Sequence, residues 1–272
     1  MRAALAALAL AGCSGTPAAP SAGDAPTIVS LNPCSDAILA EVAEPEQLLA
    51  ISHYSHDPRS TSMDLATARG IPATGGTVEE VAALAPDIVV GSSFMAPATR
   101  AALERLGMRV ETVGMAATVA DSEAQVRKLA KIAGHPDRGE ALVRRIEASL
   151  AVPPGPSISA ALWQAGGIVP GRGTLIADLM RHAGFASWSE AHGMAQADYL
   201  ALETILADPP ALLLVSGSEA GQAHPVLARL PDMEVARFDP ALTYCGGPSI
   251  PRAMDRLKRL RAHVQPTGGG RA

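Results

Sequence analysis

Two segments far apart in the chain spell out the same structural unit. Val78-Glu79-Glu80-Val81-Ala82-Ala83-Leu84-Ala85-Pro86-Asp87-Ile88-Val89-Val90 and Leu202-Glu203-Thr204-Ile205-Leu206-Ala207-Asp208-Pro209-Pro210-Ala211-Leu212-Leu213-Leu214 each open as a short helix with an early acid. Each then breaks at proline and continues as an all-apolar strand. Glu79 and Glu203 both stand seven positions before their prolines, Pro86 and Pro210. A strand with no polar face belongs in a parallel sheet covered by helices on both sides. Meeting that unit twice predicts two related α/β lobes facing one another rather than one continuous sheet.

The remaining pattern agrees. Runs at 28–31, 48–51, 87–91 and 109–113 read as strands, with helices over 35–43, 77–84 and 97–106 between them. Two longer helical stretches follow, 119–133 and 136–150, separated by the Gly134-His135-Pro136 break. The second is apolar on one side, through Ala141, Leu142, Ile146, Ala148 and Leu150. After Pro153-Pro154-Gly155-Pro156 the alternation restarts, with strands at 157–163, 211–216 and 234–238 and helices at 174–182, 202–207, 225–230 and 249–263. The chain reads as two α/β units joined by a long helical segment.

Composition narrows the function. A net charge of −5 argues against nucleic acid, which calls for a basic face. No later segment offers the roughly 20 apolar residues of a membrane span. No G-x-S-x-G elbow, H-E-x-x-H helix or phosphate-binding loop is present, so no enzyme is predicted and no resident cofactor or metal is called for. At the N-terminus, the apolar run Ala3 to Ala11 ends in Leu10-Ala11-Gly12-Cys13, which resembles the lipobox of bacterial lipoproteins. That resemblance implies removal of residues 1–12 as a signal peptide and lipidation of Cys13. The expected location is periplasmic, anchored to a bacterial membrane by lipid alone. Residues 13–26 are small and Pro-rich, as in a flexible stalk, and residues 265–272 form a Gly-rich tail expected to be disordered.

Several stretches of the body resemble the substrate-binding proteins of ABC importers for cobalamin, haem and ferric siderophores. They are Ile28-Val29-Ser30-Leu31-Asn32-Pro33, Ile51-Ser52-His53-Tyr54-Ser55, the paired Glu-to-Pro-to-strand units, and Gly173-Thr174-Leu175-Ile176-Ala177-Asp178-Leu179 followed by Ala183-Gly184. The resemblance implies an α/β fold of two Rossmann-like lobes with mostly parallel central sheets, joined by a long interlobe helix, here 136–150. The corresponding division is an N-terminal lobe over 27–118, a helical connector over 119–152 and a C-terminal lobe over 153–264. It implies a monomer that holds a small-molecule chelate between the lobes and delivers it to a permease dimer with its ATPase subunits. It also implies that Glu79 and Glu203 dock on permease arginines. The guest expected first is a corrinoid (cobalamin-like) or related metal chelate, then haem or a ferric siderophore; a direct binder of transition-metal ions is a further alternative.

Ligands of open α/β sheets sit beyond the carboxyl ends of the strands. Only 3% of residues are aromatic, and Tyr54, Phe94, Trp163 and Tyr244 follow or close strands, with Trp188 in a nearby loop. Together they suit a large planar or macrocyclic guest, although Trp163 could instead cover its own lobe's core. His53 with Tyr54 and His56 forms a polar cluster. It could contribute to a bare metal site only if Asp57 and His182 joined it. Cys34 and Cys245 lie at corresponding strand ends and are expected to border the guest. Three readings stand for them: inert core residues, soft ligands, or an interlobe disulfide. The glycines of Cys245-Gly246-Gly247-Pro248 would let backbone approach the guest closely.

Overall fold

The computed structural model describes residues 25–151 and 154–264. The stretches expected to be signal peptide (1–12) and tail (265–272), and Cys13 with nearly all of the expected stalk, lie outside them.

The first lobe carries a five-stranded parallel sheet in the order β3-β2-β1-β4-β5, comprising β1 (Ile28–Ser30), β2 (Leu48–Ser52), β3 (Ala73–Thr74), β4 (Ile88–Ser92) and β5 (Arg109–Val113). Helices α1 (Pro33–Val42), α2 (Leu65–Arg69), α3 (Val78–Leu84) and α4 (Pro97–Arg105) make its crossovers. After the connector helices α5 (Val119–Ile132) and α6 (Pro136–Ser149), the second lobe holds a four-stranded parallel sheet in the order β7-β6-β8-β9. Its elements are β6 (Ile158–Gln164), α7 (Leu175–His182), β7 (Phe185–Ser187), α8 (Trp188–Ala191), α9 (Leu202–Ala207), β8 (Leu212–Ser216), β9 (Glu234–Arg237) and α10 (Ser249–His263). The expected helix at 225–230 is only a 3-10 turn, Leu227–Arg229. Among the described residues no helix is long and apolar enough to cross a membrane.

The repeated unit takes equivalent places. α3 leads through Pro86 into β4, which pairs with β1; α9 leads through Pro210 into β8, which pairs with β6. β8 is buried at every residue and β4 at all but its last, as apolar strands covered on both faces require.

Two antiparallel helices, rather than 136–150 alone, make the connection. α5 begins against the second lobe, where the Val119 amide donates to Asp178 Oδ2 on α7 at 2.8 Å. It ends against the first, where Gln47 Nε2 donates to the Ala133 carbonyl at 2.9 Å. α6 then runs beside α1, with Arg145 paired to Glu41 and Arg138 to Glu44. One buried apolar cluster runs unbroken from Ile28, Ile38 and Leu39 through Val126, Leu129, Leu142 and Ile146 to Leu162, Leu179, Leu214 and Leu257. The lobes therefore share a core on their connector side, and each has a separate small core on its other face.

The helix pair can pack this closely because α6 has no side chain at Gly139. A Cβ there would stand 2.5 Å from that of Ala130. Helix propensity favours Ala over Gly by about 1 kcal/mol, whereas overpacking a close-packed core costs about 1–3 kcal/mol. Gly139→Ala should therefore be destabilising on balance by up to about 2 kcal/mol, lowering the melting temperature by as much as roughly 8 °C at the usual sensitivity of a chain this size. Adding Ala130→Gly should restore much of the loss, as differential scanning calorimetry would show.

Candidate functional site

At the base of the gap between the lobes, only two residues, Leu31 and Asn32, link β1 to α1. Asn32 follows β1 and accepts the amides of Cys34 and Ser35 at 3.0 and 3.1 Å, capping α1, while Pro33 takes the first helical position. This puts Cys34 on the first turn of α1, facing the segment between β9 and α10. There it forms a disulfide with Cys245, with Cα atoms 5.1 Å apart and 211 residues between the partners. Of the three readings open for Cys34 and Cys245, the structure shows the interlobe disulfide, which leaves neither a thiolate to offer a metal. The expected role of the neighbouring glycines is corrected. A Cβ on Gly247 would lie 2.6 Å from Ile38 Cγ1, and the Gly247 amide donates to Ser122 Oγ at 2.7 Å. The close approach they permit is to the first lobe and connector. Since Cys34 follows the end of β1 and Cys245 lies beyond the end of β9, the bond also shows that the carboxyl ends of the two sheets face one another.

In each sheet the strand order reverses beside its first strand, between β1 and β4 and between β6 and β8, and such switch points open a crevice. Tyr54 and Phe94 follow β2 and β4 and are 54% and 75% exposed. Tyr244 bridges the gap: its hydroxyl donates to the Thr61 carbonyl at 3.1 Å, and partial burial raises its pKa. His53 packs against Tyr54 in a tilted arrangement, ring centroids 4.1 Å apart, and its Nδ1 lies 3.3 Å from the Thr74 carbonyl.

Trp163 and Trp188 do not reach the gap. They are 2% and 3% exposed and belong to the core on the outer face of the second lobe, where Trp188 stacks on His192 and donates from Nε1 to the Asp208 carbonyl. Tyr199, which sequence reasoning passed over, is 71% exposed and packs against Gly167 just beyond β6. The available signal was that it is one of only three tyrosines in the chain. Nor do the histidines converge on a bare-ion site. His56 Nε2 lies 2.9 and 3.0 Å from the Ala68 and Ile71 carbonyls, Asp57 pairs with Arg59, and His182 sits at the end of α7 beside Asp178. Among the described residues no three His, Cys, Asp or Glu side chains are grouped to hold a metal ion.

A cavity of about 940 Å³ occupies the gap between the loop after Tyr54 and the second sheet. Pro58 and Arg59 line it from the first lobe; Ala165, Ser216 and Ser218 line it at the ends of β6 and β8, and Arg237 does so from β9. Arg237 escaped notice in the sequence because a charge on an edge strand ordinarily faces solvent.

Beneath Tyr54 lies a second residue that sequence reasoning missed. Asp36, on α1, is fully buried. Its Oδ2 accepts the Ser52 amide at 3.0 Å and the Ser55 hydroxyl at 2.6 Å, fixing the 3-10 turn His53–His56 that presents Tyr54. Its Oδ1 has no hydrogen-bond partner. Burial pushes its pKa up to about 7, against the pull of its hydrogen bonds to serine.

Glu79 and Glu203 occupy the same position, second in α3 and in α9, and both are exposed. Thr77 caps α3 by accepting the Glu80 amide at 3.2 Å. Glu80 does not complete the reciprocal half of a capping box, because its carboxylate accepts instead from Thr74 Oγ1 at 3.0 Å, which lowers its pKa.

Two α/β lobes facing one another over a shared helical base, with a cavity between the Pro58–Arg59 loop of one and the strand ends of the other, have the architecture of a two-lobed solute receptor. The sequence model described as "periplasmic binding protein" matches residues 28–231, and the chain belongs to that family. Similar solved structures include the periplasmic haem-binding protein HutB of Vibrio cholerae (TM-score 0.69, 17% identity, covering 86% of this chain and 98% of that one). The apo haem-binding protein RhuT from Roseiflexus sp. RS-1 gives 0.65 at 21% identity, covering 87% and 96%. The vitamin B12-binding protein BtuF of Vibrio cholerae gives 0.64 at 17% identity, covering 88% and 97%. At these identities the likeness concerns the fold. No curated protein sequence matches significantly. The family comprises solute-binding proteins rather than enzymes, and membership implies an extracytoplasmic location, a small-molecule ligand and an ABC permease partner.

Asp36 gives this site a pH signature. Its folded pKa lies above the unfolded value near 4, so its favourable contribution is full below pH 4 and is lost as pH rises to 7. At pH 8 the ionised carboxyl should cost the folded state on the order of 4 kcal/mol. Asp36→Asn keeps an acceptor for Ser52 and Ser55. Its stability relative to wild type, measured by urea unfolding, should increase steadily between pH 4 and 7 and level off above; a difference independent of pH would mean that Asp36 stays ionised.

Proposed function

We propose that this protein is the extracytoplasmic receptor of an ABC importer for a metal chelate, held between the lobes and handed to a permease dimer. The observation that carries this reading is the cavity of about 940 Å³ between the first-lobe loop at Pro58 and Arg59 and the carboxyl ends of β6, β8 and β9 beside α10, at the upper end of the range for small-molecule sites. A corrinoid, a haem and a ferric siderophore all combine apolar bulk with polar edges, which suits a gap bordered by Tyr54, Phe94 and Tyr244 and lined in part by Ser216 and Arg237. The fold neighbours described as haem and vitamin B12 binders support this class of guest. Lipidation of Cys13 would hold the receptor beside its permease, on a stalk rather than a span.

The first test is thermal: purified protein with haemin, cyanocobalamin and iron(III) siderophores in turn. A true guest at a hundred times its dissociation constant should add about 2.7 kcal/mol of stability, or roughly 5–10 °C. If no chelate shifts the transition or its own absorption spectrum, the reading fails.

Docking through Glu79 and Glu203 follows from their matched, exposed positions, since paired rim charges steer encounter and fix register. Glu79→Lys with Glu203→Lys should abolish stimulation of the permease ATPase in reconstituted vesicles while leaving guest affinity unchanged.

A further inference from the structure

Beneath the aromatic edge of the first lobe lies a buried polar cluster that guest contact does not explain. Ser30, at the end of β1, and Ser35 and Asp36, in the first turn of α1, are all fully buried. The two hydroxyls and Asp36 Oδ1 have no hydrogen-bond partner. Buried polar atoms are ordinarily satisfied, so three orphans in one short stretch point to a special protonation state. A neutral carboxyl supplies one: it keeps an accepting oxygen and gains an O–H for a neighbouring hydroxyl. The accepting oxygen, Oδ2, is tied to both parts of the turn after β2, through the Ser52 amide that precedes it and the Ser55 hydroxyl within it. Tyr54 and His53 stand exposed on that turn.

No cation answers a charge at this place. β1 and β2 carry no ionisable residue, and α5 buries Ser122, Val126 and Leu129. The arginines that α6 directs at α1, Arg138 and Arg145, pair with Glu44 and Glu41 toward its other end. On the turn, His53 lies against the Thr74 carbonyl and His56 against those of Ala68 and Ile71, while Asp57 and Arg59 beyond it pair with each other. Cys34 is held in the disulfide. Hydrogen bonds from Ser52 and Ser55 favour the carboxylate, but burial outweighs them and sets the pKa at about 7. An ionised Asp36 is therefore relieved by admitting water, and the short turn above it is the cover that can move.

We propose that Asp36 is a positioning residue for the guest: its neutral carboxyl holds the turn that presents Tyr54 and His53, and loss of its proton releases that turn and weakens binding. The guest enters through the receptor reading above, whereas the carboxyl and its turn belong to the first lobe alone.

Two measurements on the full chain test this. Without any guest, hydrogen exchange read by mass spectrometry should show the protection factor of segment 52–56 falling about tenfold from pH 6 to pH 8, as the neutral fraction does. Asp36→Asn, which cannot ionise, should flatten that profile. His53→Gln should not, a control needed because imidazoles also change charge near neutrality. With haemin, cyanocobalamin and an iron(III) trihydroxamate in turn, affinities of wild type and Asp36→Asn are compared at the same pH, so that any titration of the chelate cancels. For a chelate that binds, the two proteins should match at pH 6, and the wild type should bind about tenfold more weakly at pH 8. Ser55→Ala, which keeps the carboxyl, should weaken binding severalfold at pH 6, and with the wild-type exchange profile it decides the matter if Asp36→Asn does not fold. A protection factor independent of pH, a pH dependence that survives Asp36→Asn but not His53→Gln, or a constant affinity ratio overturns the role of Asp36 and leaves the receptor reading intact. The expected exchange profile with no chelate bound by either protein overturns the receptor reading, and with it the link from turn to guest.

Discussion

The whole arrangement depends on a hydrophobic core that ignores the boundary between the lobes. In most two-lobed proteins each half buries its own apolar residues and the halves meet through a wet, polar contact. Here α5 and α6 are sandwiched between α1 on one side and α7 and α10 on the other, and a single cluster of buried side chains runs from β1 to β8 through all of them. Because close-packed interiors resist deformation, the separation between the sheets is set by side-chain volume on the connector side. The disulfide, the contact between Gly247 and Ile38 and the bond from Gly247 to Ser122 then hold the base of the gap at one spacing.

On that base, chemistry is distributed unevenly between the lobes. The first presents aromatic and imidazole groups, with Tyr54 and His53 carried on a turn fixed by buried Asp36. The second presents arginines and hydroxyls at the ends of β8, β9 and along α10. Tyr244 crosses between them. A guest in this gap would meet a soft face on one side and a charged edge on the other, an asymmetry that also defines its orientation.

Much of the fold was legible because the features that specify it are local and repeated. The duplicated helix–proline–strand unit located β4 and β8, and these became the strands beside each switch point. What escaped were elements of two to five residues, such as β3, α2, β7 and α8, which are too short to show a period. The site was less legible, for physical reasons. A position at a strand end does not say which face of the sheet the side chain takes, so Trp163 and Trp188 were expected at the gap and lie in an outer core. Pairing of Cys34 with Cys245 depends on how 211 intervening residues return to one place. Asp36 looked like an ordinary helix acid, and only tertiary structure buries it.

The interlobe disulfide also bears on how the chain comes to be folded. It joins the first helix of one lobe to the segment that opens the last helix of the other, so it cannot form until almost the entire polypeptide has emerged from the translocation channel. Until then Cys34 has no native partner, and Cys13 carries the one other thiol ahead of Cys245 in the chain. Acylation of Cys13 would remove the competitor and leave one possible pairing. A lipid added before the cross-link forms would then protect the protein from scrambled isomers without any need for reshuffling.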